Sequence, residues 1–311
     1  MSDNATLTKI DFKRVSLGDK TKYEEYLSGE SGRGCEFSFA NLYLWGRQSM
    51  AELCGHIVMF SQFDRRSVYP FPIGKGDKRE VIDAIIADAR ERGIPCRITG
   101  ILPHERQLLE ELYPNRFRFH CDRGSFDYLY DIDDLADLAG KKYHAKRNHL
   151  NRFRDEFPDH RVEVLCKANI EAVRLMAQEW YESRLAADPE SDFHMEMAAL
   201  NKALKDREAL GLEGIAIFNG ESVLAFTLAS RLSSDTFDVH FEKARPDARG
   251  AYTAINCEMA KYIRAKYPDV RYLDREEDMG LEGLRKAKQS YYPVSLREKC
   301  WACLLEDGYD Y

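Results

Sequence analysis

Carboxylates and bases are concentrated in the segment REEDMGLEGLRKAKQS, residues 275–290. Glu282 and Lys286 have the i, i+4 spacing of an ion pair on the exposed side of a helix. Lys288 instead follows Leu281 and Leu284 at helical spacing, which places it on the apolar stripe. A lysine there either extends its ammonium group to solvent or contacts a substrate. The segment is therefore either a solvated helix or the wall of a site that handles charged substrates.

Two predicted strands carry further ionisable groups. Strict alternation in TFDVHFE, residues 236–242, predicts one apolar face; the opposite face would carry Thr236, Asp238, His240 and Glu242. That polar face either lines a cleft or is the wet face of an edge strand. The second strand, RYLDR at 271–275, leads directly into the acids of 276–278. Sites in α/β proteins tend to open at such strand ends.

A basic segment, KKYHAKRNHLNRFR at residues 141–154, contains six Lys or Arg residues and no acid. Helical spacing aligns Lys142, Lys146 and His149 on one face, with Arg147 beside them. Such a face either contacts phosphate groups or is a solvated helix whose bases pair with the acids that follow.

The segment RPDARGAY, residues 245–252, precedes a predicted helix whose stripe contains Ile255, Met259 and Ile263. A helix N-terminus with free backbone N–H groups and flanking arginines is a natural anion site. Arg245, Arg249 and Gly250 are its candidate residues, and Tyr252 follows in the first turn. The alternative is an ordinary helix start with exposed arginines.

Composition limits the classes of function. The chain has 311 residues, 44% of them hydrophobic and 32% charged, as in an ordinary globular protein. A net charge of −7 excludes a general polyanion binder, so phosphate contacts must come from a local patch. No apolar stretch approaches the roughly 18 residues of a membrane span, and the N-terminus lacks the pattern of a signal peptide. We expect a cytoplasmic protein without an integral membrane segment.

Cysteine and histidine spacings give no metal motif. The eight cysteines are scattered apart from one CWAC at residues 300–303, and the eight histidines show no HxxxH or HExxH spacing. We expect free thiols in a reducing compartment and no metal site.

One pattern occurs twice along the chain: antiparallel strands, a glycine-bearing loop, an amphipathic helix and a further strand. The first copy includes the helix REVIDAIIADARERG, which ends at Gly93, and the second includes the helix that follows Gly250. This repetition predicts a duplicated α+β protein with domains at 1–134 and 135–311, the second carrying the site.

Four segments in this order resemble a known family: CEFSFANLYLWG (35–46), GKKYHAKRNHLNRF (140–153), RGAYTAINCEMA (249–260) and DREEDMGLEGLRKAKQSYYP (274–293). They resemble the soluble bacterial relatives of the C-terminal catalytic domain of phosphatidylglycerol lysyltransferase. That group belongs with the Fem-type peptidyltransferases in the acetyltransferase-like (GNAT) superfamily. The resemblance covers nearly the whole chain and implies two tandem GNAT-like domains, each a mixed, mostly antiparallel sheet flanked by helices.

The resemblance implies an enzyme that moves an aminoacyl group from charged tRNA to an amine or hydroxyl acceptor, either a lipid headgroup or a small molecule. An aminoacyl ester is already activated, so this reaction needs no cofactor. It needs a base for the acceptor, stabilisation of an oxyanion and a proton for the leaving tRNA hydroxyl. In a GNAT-like sheet the strands TFDVHFE and RYLDR would separate to admit the acyl group.

Roles can then be assigned to the residues above. Glu242 or Asp278 is the candidate base or amine-orienting carboxylate, Lys288 the candidate for oxyanion or phosphate stabilisation, and Tyr291 the proton donor. The candidate contacts to phosphates or substrate are Lys142, Lys146, Arg147, Arg245, Arg249, Gly250 and Tyr252.

Two alternatives remain open. The first is an acyl-CoA-dependent N-acyltransferase, since Arg245 and Gly250 match the first and last positions of the GNAT pyrophosphate loop. Ala248 replaces its middle glycine, so the match is partial. The second is a non-catalytic protein that binds a phosphorylated ligand or RNA, although four carboxylates near residue 278 give a phosphate binder no advantage.

Overall fold

The computed structural model describes residues 9–30, 32–46, 48–63, 66–189 and 193–305. These residues form two compact units. One comprises the described residues up to Phe126 together with those from Arg297 onward, and the other is Asp127–Leu296.

The first unit contains four α-helices and one mixed sheet of eight strands, the last of which follows the second unit along the chain. Its strands are β1 (Lys13–Arg14), β2 (Gln48–Leu53), β3 (His56–Phe63), β4 (Arg66–Pro70), β5 (Ile73–Gly74), β6 (Arg97–Ile101) and β7 (Phe117–His120). Its helices are α1 (Lys20–Leu27), α2 (Phe39–Trp45), α3 (Lys78–Arg92) and α4 (Pro103–Leu112). The predicted end of α3 is confirmed: Asp77 caps its N-terminus and Gly93 follows in the left-handed conformation.

The second unit contains a seven-stranded sheet and six helices. Its strands are β8 (Asp127–Asp131), β9 (Arg161–Val164), β10 (Glu213–Asn219), β11 (Ser222–Arg231), β12 (Thr236–Ala244), β13 (Tyr272–Asp274) and β14 (Ser295–Arg297). Its helices are α5 (Ile132–Asp137), α6 (His144–Glu156), α7 (Ile170–Ala187), α8 (Phe193–Leu210), α9 (Ala251–Lys266) and α10 (Glu282–Gln289). The sheet order is β14-β8-β13-β12-β11-β10-β9.

After the second unit, the chain returns to the first. The last strand, β15 (Cys300–Leu304), lies between β6 and β7 and is antiparallel to both. The sequence-based domain bounds, 1–134 and 135–311, differ from these units at two places. Strand β8 pairs with β13, so the second unit begins earlier. Residues after Arg297 complete the first unit's sheet, a pairing that no local pattern in the sequence indicates.

The strands β12 and β13 pair only briefly. They are parallel, and the pairs are Thr236 with Tyr272, Phe237 with Leu273, and Asp238 with Asp274. Strand β13 then ends, while β12 continues for six more residues to Ala244. The pairing of the two predicted strands therefore ends at Asp238 and Asp274, and the groups on the second half of β12 lie beyond the last pair.

A β-bulge interrupts β12 at His240. Opposite β11, Phe241 pairs with Leu228 and Val239 with Ala229, so His240 is the extra residue. Before the bulge, Phe237 and Val239 belong to the core beneath α9; after it, Ala244 does. The predicted strict alternation is wrong, because the bulge reverses which residues face α9.

One disulfide joins Cys121 to Cys300, across 179 residues of sequence. Cys303, the other member of the CWAC motif, is free. The expectation that all eight cysteines are thiols is wrong for this pair. The sequence could not show it, because the two cysteines meet only when β15 pairs with β7.

No helix of the described residues has the length and apolar character needed to cross a membrane.

Candidate functional site

Glu242 joins the strand β12 to the helix α9 and to the loop after β13. Its Oε1 accepts a hydrogen bond from Arg275 Nη2 at 2.8 Å, and its Oε2 accepts one from Asn256 Nδ2 at 3.2 Å. The side chains of Glu242 and Arg275 are only 10% and 15% exposed. Because the bulge turns Glu242 toward α9, it lies on a different side of the sheet from Asp238, with which the sequence grouped it.

The ring of Tyr291 is in contact with two cationic side chains, Lys146 and Arg275. Lys146 Nζ, from α6, lies 3.6 Å from the centroid of the Tyr291 ring, and Arg275 Cζ lies 5.0 Å from it. Burial and the neighbouring Arg275 guanidinium lower the pKa of Lys146 to about 8, against the opposing effect of Glu242. An amine with this pKa is partly neutral at slightly alkaline pH, so it can accept a proton.

The phenol of Tyr291 stays protonated at neutral pH because burial raises its pKa. Its hydroxyl lies 3.4 Å from Thr253 Oγ1 in the first turn of α9. The backbone at Tyr291 is fixed by Tyr143, whose hydroxyl donates to its carbonyl at 2.9 Å. A fixed, protonated phenol can donate to an oxygen that gains negative charge.

We call Lys146, Glu242, Asn256, Arg275 and Tyr291 the α9 cluster. Two of its polar atoms, Arg275 Nη1 and Asn256 Oδ1, are buried and have no hydrogen-bond partner among the described residues. Buried groups of this kind usually have partners. The cluster therefore offers one donor and one acceptor to a ligand that carries both a polar oxygen and an amino group.

Asp278 and Lys288 are buried outside the α9 cluster. The Asp278 carboxylate accepts two hydrogen bonds from Arg285, at 2.7 and 2.9 Å, one from the Tyr128 hydroxyl at 2.6 Å and one from Gly280 N at 2.9 Å. Hydrogen bonds from Arg285 hold the pKa of Asp278 well below its usual range, so it is a weak base. This geometry makes Asp278 the anchor of the loop rather than a proton acceptor.

Lys288 does lie inward, as the helical spacing predicts. Its Nζ donates to the backbone carbonyls of Arg275 and Glu276, and burial lowers its pKa. The ammonium thus holds the loop that carries Arg275. Glu276 has a φ of 56°, a strained conformation for a residue with a side chain, and the lysine supports it.

The predicted basic face divides into separate environments. Arg147 donates to the carbonyls of Leu138 and Gly140, which close the end of α5. Lys142 lies before the start of α6 and pairs with Asp134 at 2.8 Å in an exposed position. Of the bases named from this segment, Lys146 is the one that reaches the α9 cluster.

The start of α9 is closely packed. Gly250 has a φ of 83°, and a β carbon there would lie 2.3 Å from the carbonyl oxygen of His149 on α6. Arg245 pairs with Glu179 at 2.6 Å and donates to the Val223 carbonyl, while Arg249 is exposed. Tyr252 is 40% exposed.

Two residues of the α9 cluster were not assigned roles from the sequence. Arg275 was noted as the end of a strand, and Asn256 was not singled out. The sequence did contain a signal for Asn256. It directly follows Ile255 of the buried stripe, and an amide that is buried there needs a polar partner.

The comparisons with known proteins now identify the family. The family model "Phosphatidylglycerol lysyltransferase, C-terminal" matches residues 31–303. The chain belongs to this family. It is 37% identical to a conserved protein of unknown function from Bacteroides thetaiotaomicron VPI-5482, with a TM-score of 0.90 over 95% of this chain and 99% of that one.

Two further proteins are similar to this chain. The structure of L-PGS from Bacillus licheniformis is 18% identical, with a TM-score of 0.68 over 94% of this chain and 93% of that chain. An uncharacterized protein from Mycoplasmoides gallisepticum is 25% identical over 171 residues, which is 54% of this chain and 53% of that protein. The match therefore spans about half the length of that curated relative.

More distant structures show the fold. FemX has a TM-score of 0.59 at 11% identity, and a tandem GNAT protein from the clavulanic acid biosynthesis pathway has 0.51 at 10% identity. The prediction of an α+β chain with tandem GNAT-like units is confirmed. The resemblance to the phosphatidylglycerol lysyltransferase family, read from four segments, is confirmed as well, and that family is named for an aminoacyl transfer.

Proposed function

We propose that this protein transfers an aminoacyl group from a charged tRNA to an amine or hydroxyl acceptor. Membership of a family named for a lysyltransferase supports the class of reaction. The observation that carries the proposal is the α9 cluster. There a lysine with a pKa of about 8 lies beside a buried carboxylate, a guanidinium and a protonated phenol.

Each step of the transfer has a group in this cluster. The acceptor attacks the ester carbonyl, and neutral Lys146 takes the proton that the acceptor loses. Arg275 Nη1 donates to the oxyanion that forms on the carbonyl oxygen. The carbon–oxygen bond to the tRNA then breaks, and the Tyr291 hydroxyl gives its proton to the departing ribose oxygen. The proton that Lys146 gained then returns to Tyr291, which restores both groups.

Glu242 and Asn256 recognise an amino group in this proposal. A carboxylate and an amide oxygen are both acceptors, and both lie at the base of the cluster. The α-ammonium group of the aminoacyl donor supplies the matching donors. Glu242 therefore orients the substrate, and Lys146 takes over the role of base that the sequence assigned to Glu242 or Asp278.

Phosphate groups of the donor or acceptor would meet the exposed bases of the second unit, Lys142 and Arg249. The acceptor is either a phospholipid headgroup or a small molecule. The ester is already activated, so the transfer as proposed needs no cofactor.

Acyl-CoA is less well suited to the start of α9. The pyrophosphate of CoA requires free N–H groups at that helix start. The carbonyl oxygen of His149 lies against Gly250, and Ala248 stands where the GNAT loop has a glycine. A carbonyl oxygen at this position repels an anion.

The test is a transfer assay on the purified chain with a mixed pool of radiolabelled aminoacyl-tRNA. Phosphatidylglycerol vesicles are offered in one reaction and a mixture of small aqueous amines in another. We expect label to move from tRNA into the lipid phase or into a small product, which identifies the acceptor class. Because misplacement of the substrate by about 1 Å can cost 100-fold, Glu242→Gln should reduce transfer by at least about that factor, and Lys286→Met, which alters an exposed pair, should not.

Three other results would each reject the proposal. Stabilisation of the protein by CoA or acetyl-CoA, with no effect of aminoacyl-tRNA, would favour the acyl-CoA reading. Binding of tRNA or of phosphorylated ligands without turnover would favour a binding protein. Equal transfer by Glu242→Gln and Lys286→Met would remove the α9 cluster from the reaction.

A further inference from the structure

A second polar cluster lies on the other side of β12. It contains Asp238 and His240 from β12, Glu276 from the loop after β13, and Ser230 from β11. The bulge at His240 separates it from Glu242, which faces α9. None of these four residues has a part in the proposed transfer.

His240 is the centre of this second cluster. Its side chain is 1% exposed. Nε2 lies 2.7 Å from Ser230 Oγ, whereas Nδ1 is buried and has no hydrogen-bond partner among the described residues. When Nε2–H donates to Ser230, Nδ1 carries a free lone pair. A buried nitrogen in this state is destabilising unless something binds it.

Two carboxylates face that lone pair. Nδ1 lies 3.3 Å from Asp238 Oδ2 and 3.8 Å from Glu276 Oε1, and the three ligand atoms all lie within 4.8 Å of one another. Asp238 is fully buried. Carboxylate oxygens beside an imidazole nitrogen are a ligand set that divalent cations take in proteins.

The loop after β13 holds Glu276 in position. Its backbone N–H donates to Asp274 Oδ1 at 2.9 Å, and its carbonyl accepts from Lys288 Nζ at 3.2 Å. Its φ of 56° is a strained conformation that these contacts stabilise. Strain held by buried polar contacts is typical of a functional position.

We propose that Asp238, His240 and Glu276 bind a divalent transition-metal cation. Metal–ligand distances of about 2.0–2.2 Å place neighbouring ligand atoms about 3.0–3.5 Å apart; the 3.3 Å between His240 and Asp238 lies in this range, and Glu276, at 3.8 Å, would move inward by a few tenths of an ångström. One imidazole and two carboxylates suit Mn²⁺, Fe²⁺ or Zn²⁺. Ser230 would not bind the metal itself. Its hydrogen bond to Nε2 fixes the orientation of the His240 ring and leaves Nδ1 to bind the cation.

The metal would join β12 to the loop where β12 and β13 separate. Glu276 follows Arg275, so a cation bound to Glu276 also restrains the guanidinium of the α9 cluster. The sequence predicted no metal because its histidines lack motif spacing. These ligands come from one strand and a loop, and only the fold brings Glu276 beside Asp238 and His240.

The test is Mn²⁺ binding to the full chain after chelator treatment, measured by calorimetry and by the loss of the free Mn²⁺ electron-paramagnetic-resonance signal. Mn²⁺ is chosen because it binds oxygen and nitrogen ligands in preference to the free thiols. We expect one Mn²⁺ per chain and a higher Tm in its presence. Glu276→Gln should weaken binding at least tenfold, and His240→Gln should abolish it.

Two further variants separate a metal site from general charge effects. Ser230→Ala should weaken Mn²⁺ binding about 10- to 100-fold, the usual effect of removing a group behind a metal-ligating histidine. Glu282→Gln, an exposed carboxylate, should leave binding unchanged. Absence of Mn²⁺, Fe²⁺ and Zn²⁺ binding by the wild-type chain, or equal binding by Glu276→Gln, would overturn the proposal. Because this measurement uses no tRNA, it is independent of the transfer assay.

Discussion

Lys146 and Lys288 show how one residue type acquires different chemistry in one unit. Both ammonium groups are shielded from solvent, and this burial lowers the pKa of both. Lys288 donates hydrogen bonds to two backbone carbonyls, which hold its ammonium group against the loop. Lys146 meets an aromatic ring and lies close enough to Arg275 to be repelled by it. Only Lys146 therefore combines a low pKa with a position beside uncommitted polar groups.

The pH dependence of transfer tests the role of Lys146. Since its pKa is lowered to about 8, the neutral base is scarce below that pH and predominates above it. We expect kcat/KM to rise with pH through about 8. Lys146→Met should lose at least about 100-fold in activity and the pH step with it.

Lys146→Arg is the matched control, because it keeps the charge and removes the neutral form. It should be as inactive as Lys146→Met. An unchanged pH step in either variant would assign the base elsewhere.

Asp278 makes a separate prediction about acid stability. Its folded-state pKa is lowered, so its contribution to stability is complete above the unfolded value of about 3.9 and declines progressively as pH falls from there toward the folded-state pKa. Asp278→Asn should reduce the free energy of unfolding at pH 7 by about 1–3 kcal/mol and flatten its fall below about pH 4. Urea unfolding at several pH values measures both effects.

Asp269→Asn provides the comparison, because Asp269 pairs with Arg231 in an exposed position. It should change stability little. Equal effects of the two substitutions would show that the bonds to Asp278 do not anchor the loop.

At this scale the sequence locates residues better than it assigns roles. Helical spacing correctly places Lys288 inward, but spacing carries no information about the carbonyls it meets. Acids after a strand mark this loop in the sequence, yet the same pattern cannot separate Asp278, which accepts four hydrogen bonds, from Glu276 beside His240. The two acids differ in their partners, Tyr128 for Asp278 and His240 for Glu276, and these partners are distant in sequence.

Helices α6 and α9 approach each other through backbone as well as side chains. Gly250 begins α9 with a positive φ, and the carbonyl of His149 occupies the space that a side chain would need. This contact helps hold α6, and therefore Lys146, against the residues of α9. The glycine that the sequence suggested for a phosphate loop thus has a packing role.

Gly250→Ala should destabilise the second unit by at least about 2 kcal/mol, through the left-handed backbone and the contact with His149 together. Gly220→Ala isolates the backbone effect, because Gly220 also has a positive φ and has nothing within 4 Å of a β carbon. Urea unfolding of both variants measures the difference. Equal losses would mean that α6 moves aside at little cost.

Elements with strong periodicity are predictable, and irregular ones are not. The apolar stripe through Ile255, Met259 and Ile263 is buried in α9 as its spacing predicts. The alternating pattern of β12 predicts a regular strand, but the bulge at His240 gives two polar clusters on opposite sides. An extra residue in a strand leaves no mark on hydropathy, so both clusters needed the structure.

The whole chain is arranged so that one unit interrupts the other. Asp127–Leu296 form the second unit as one continuous segment, whereas the first unit is completed by β15. The Cys121–Cys300 disulfide joins the two parts of the first unit on either side of that segment. It therefore closes a long loop and restricts the unfolded chain.

Removal of this bond should reduce the stability of the first unit. Cys121→Ser, or reduction by dithiothreitol, should lower the free energy of unfolding by about 2–5 kcal/mol. Cys166→Ser, which alters an exposed free thiol, should have little effect. Thiol titration of the denatured wild-type chain should give six free thiols rather than eight. A count of eight would show that the pair is reduced.

The position of β15 also sets the order in which the two units can be finished on a ribosome. Strands β6 and β7 emerge early, yet the strand that lies between them comes after the entire second unit. At about 5–20 residues per second, synthesis of Asp127–Leu296 takes roughly 10–30 s. During that interval both strands present open edges that can pair with other nascent chains. The unit that is begun first is thus completed last, and its exposed edges make it the part of the molecule most dependent on chaperones.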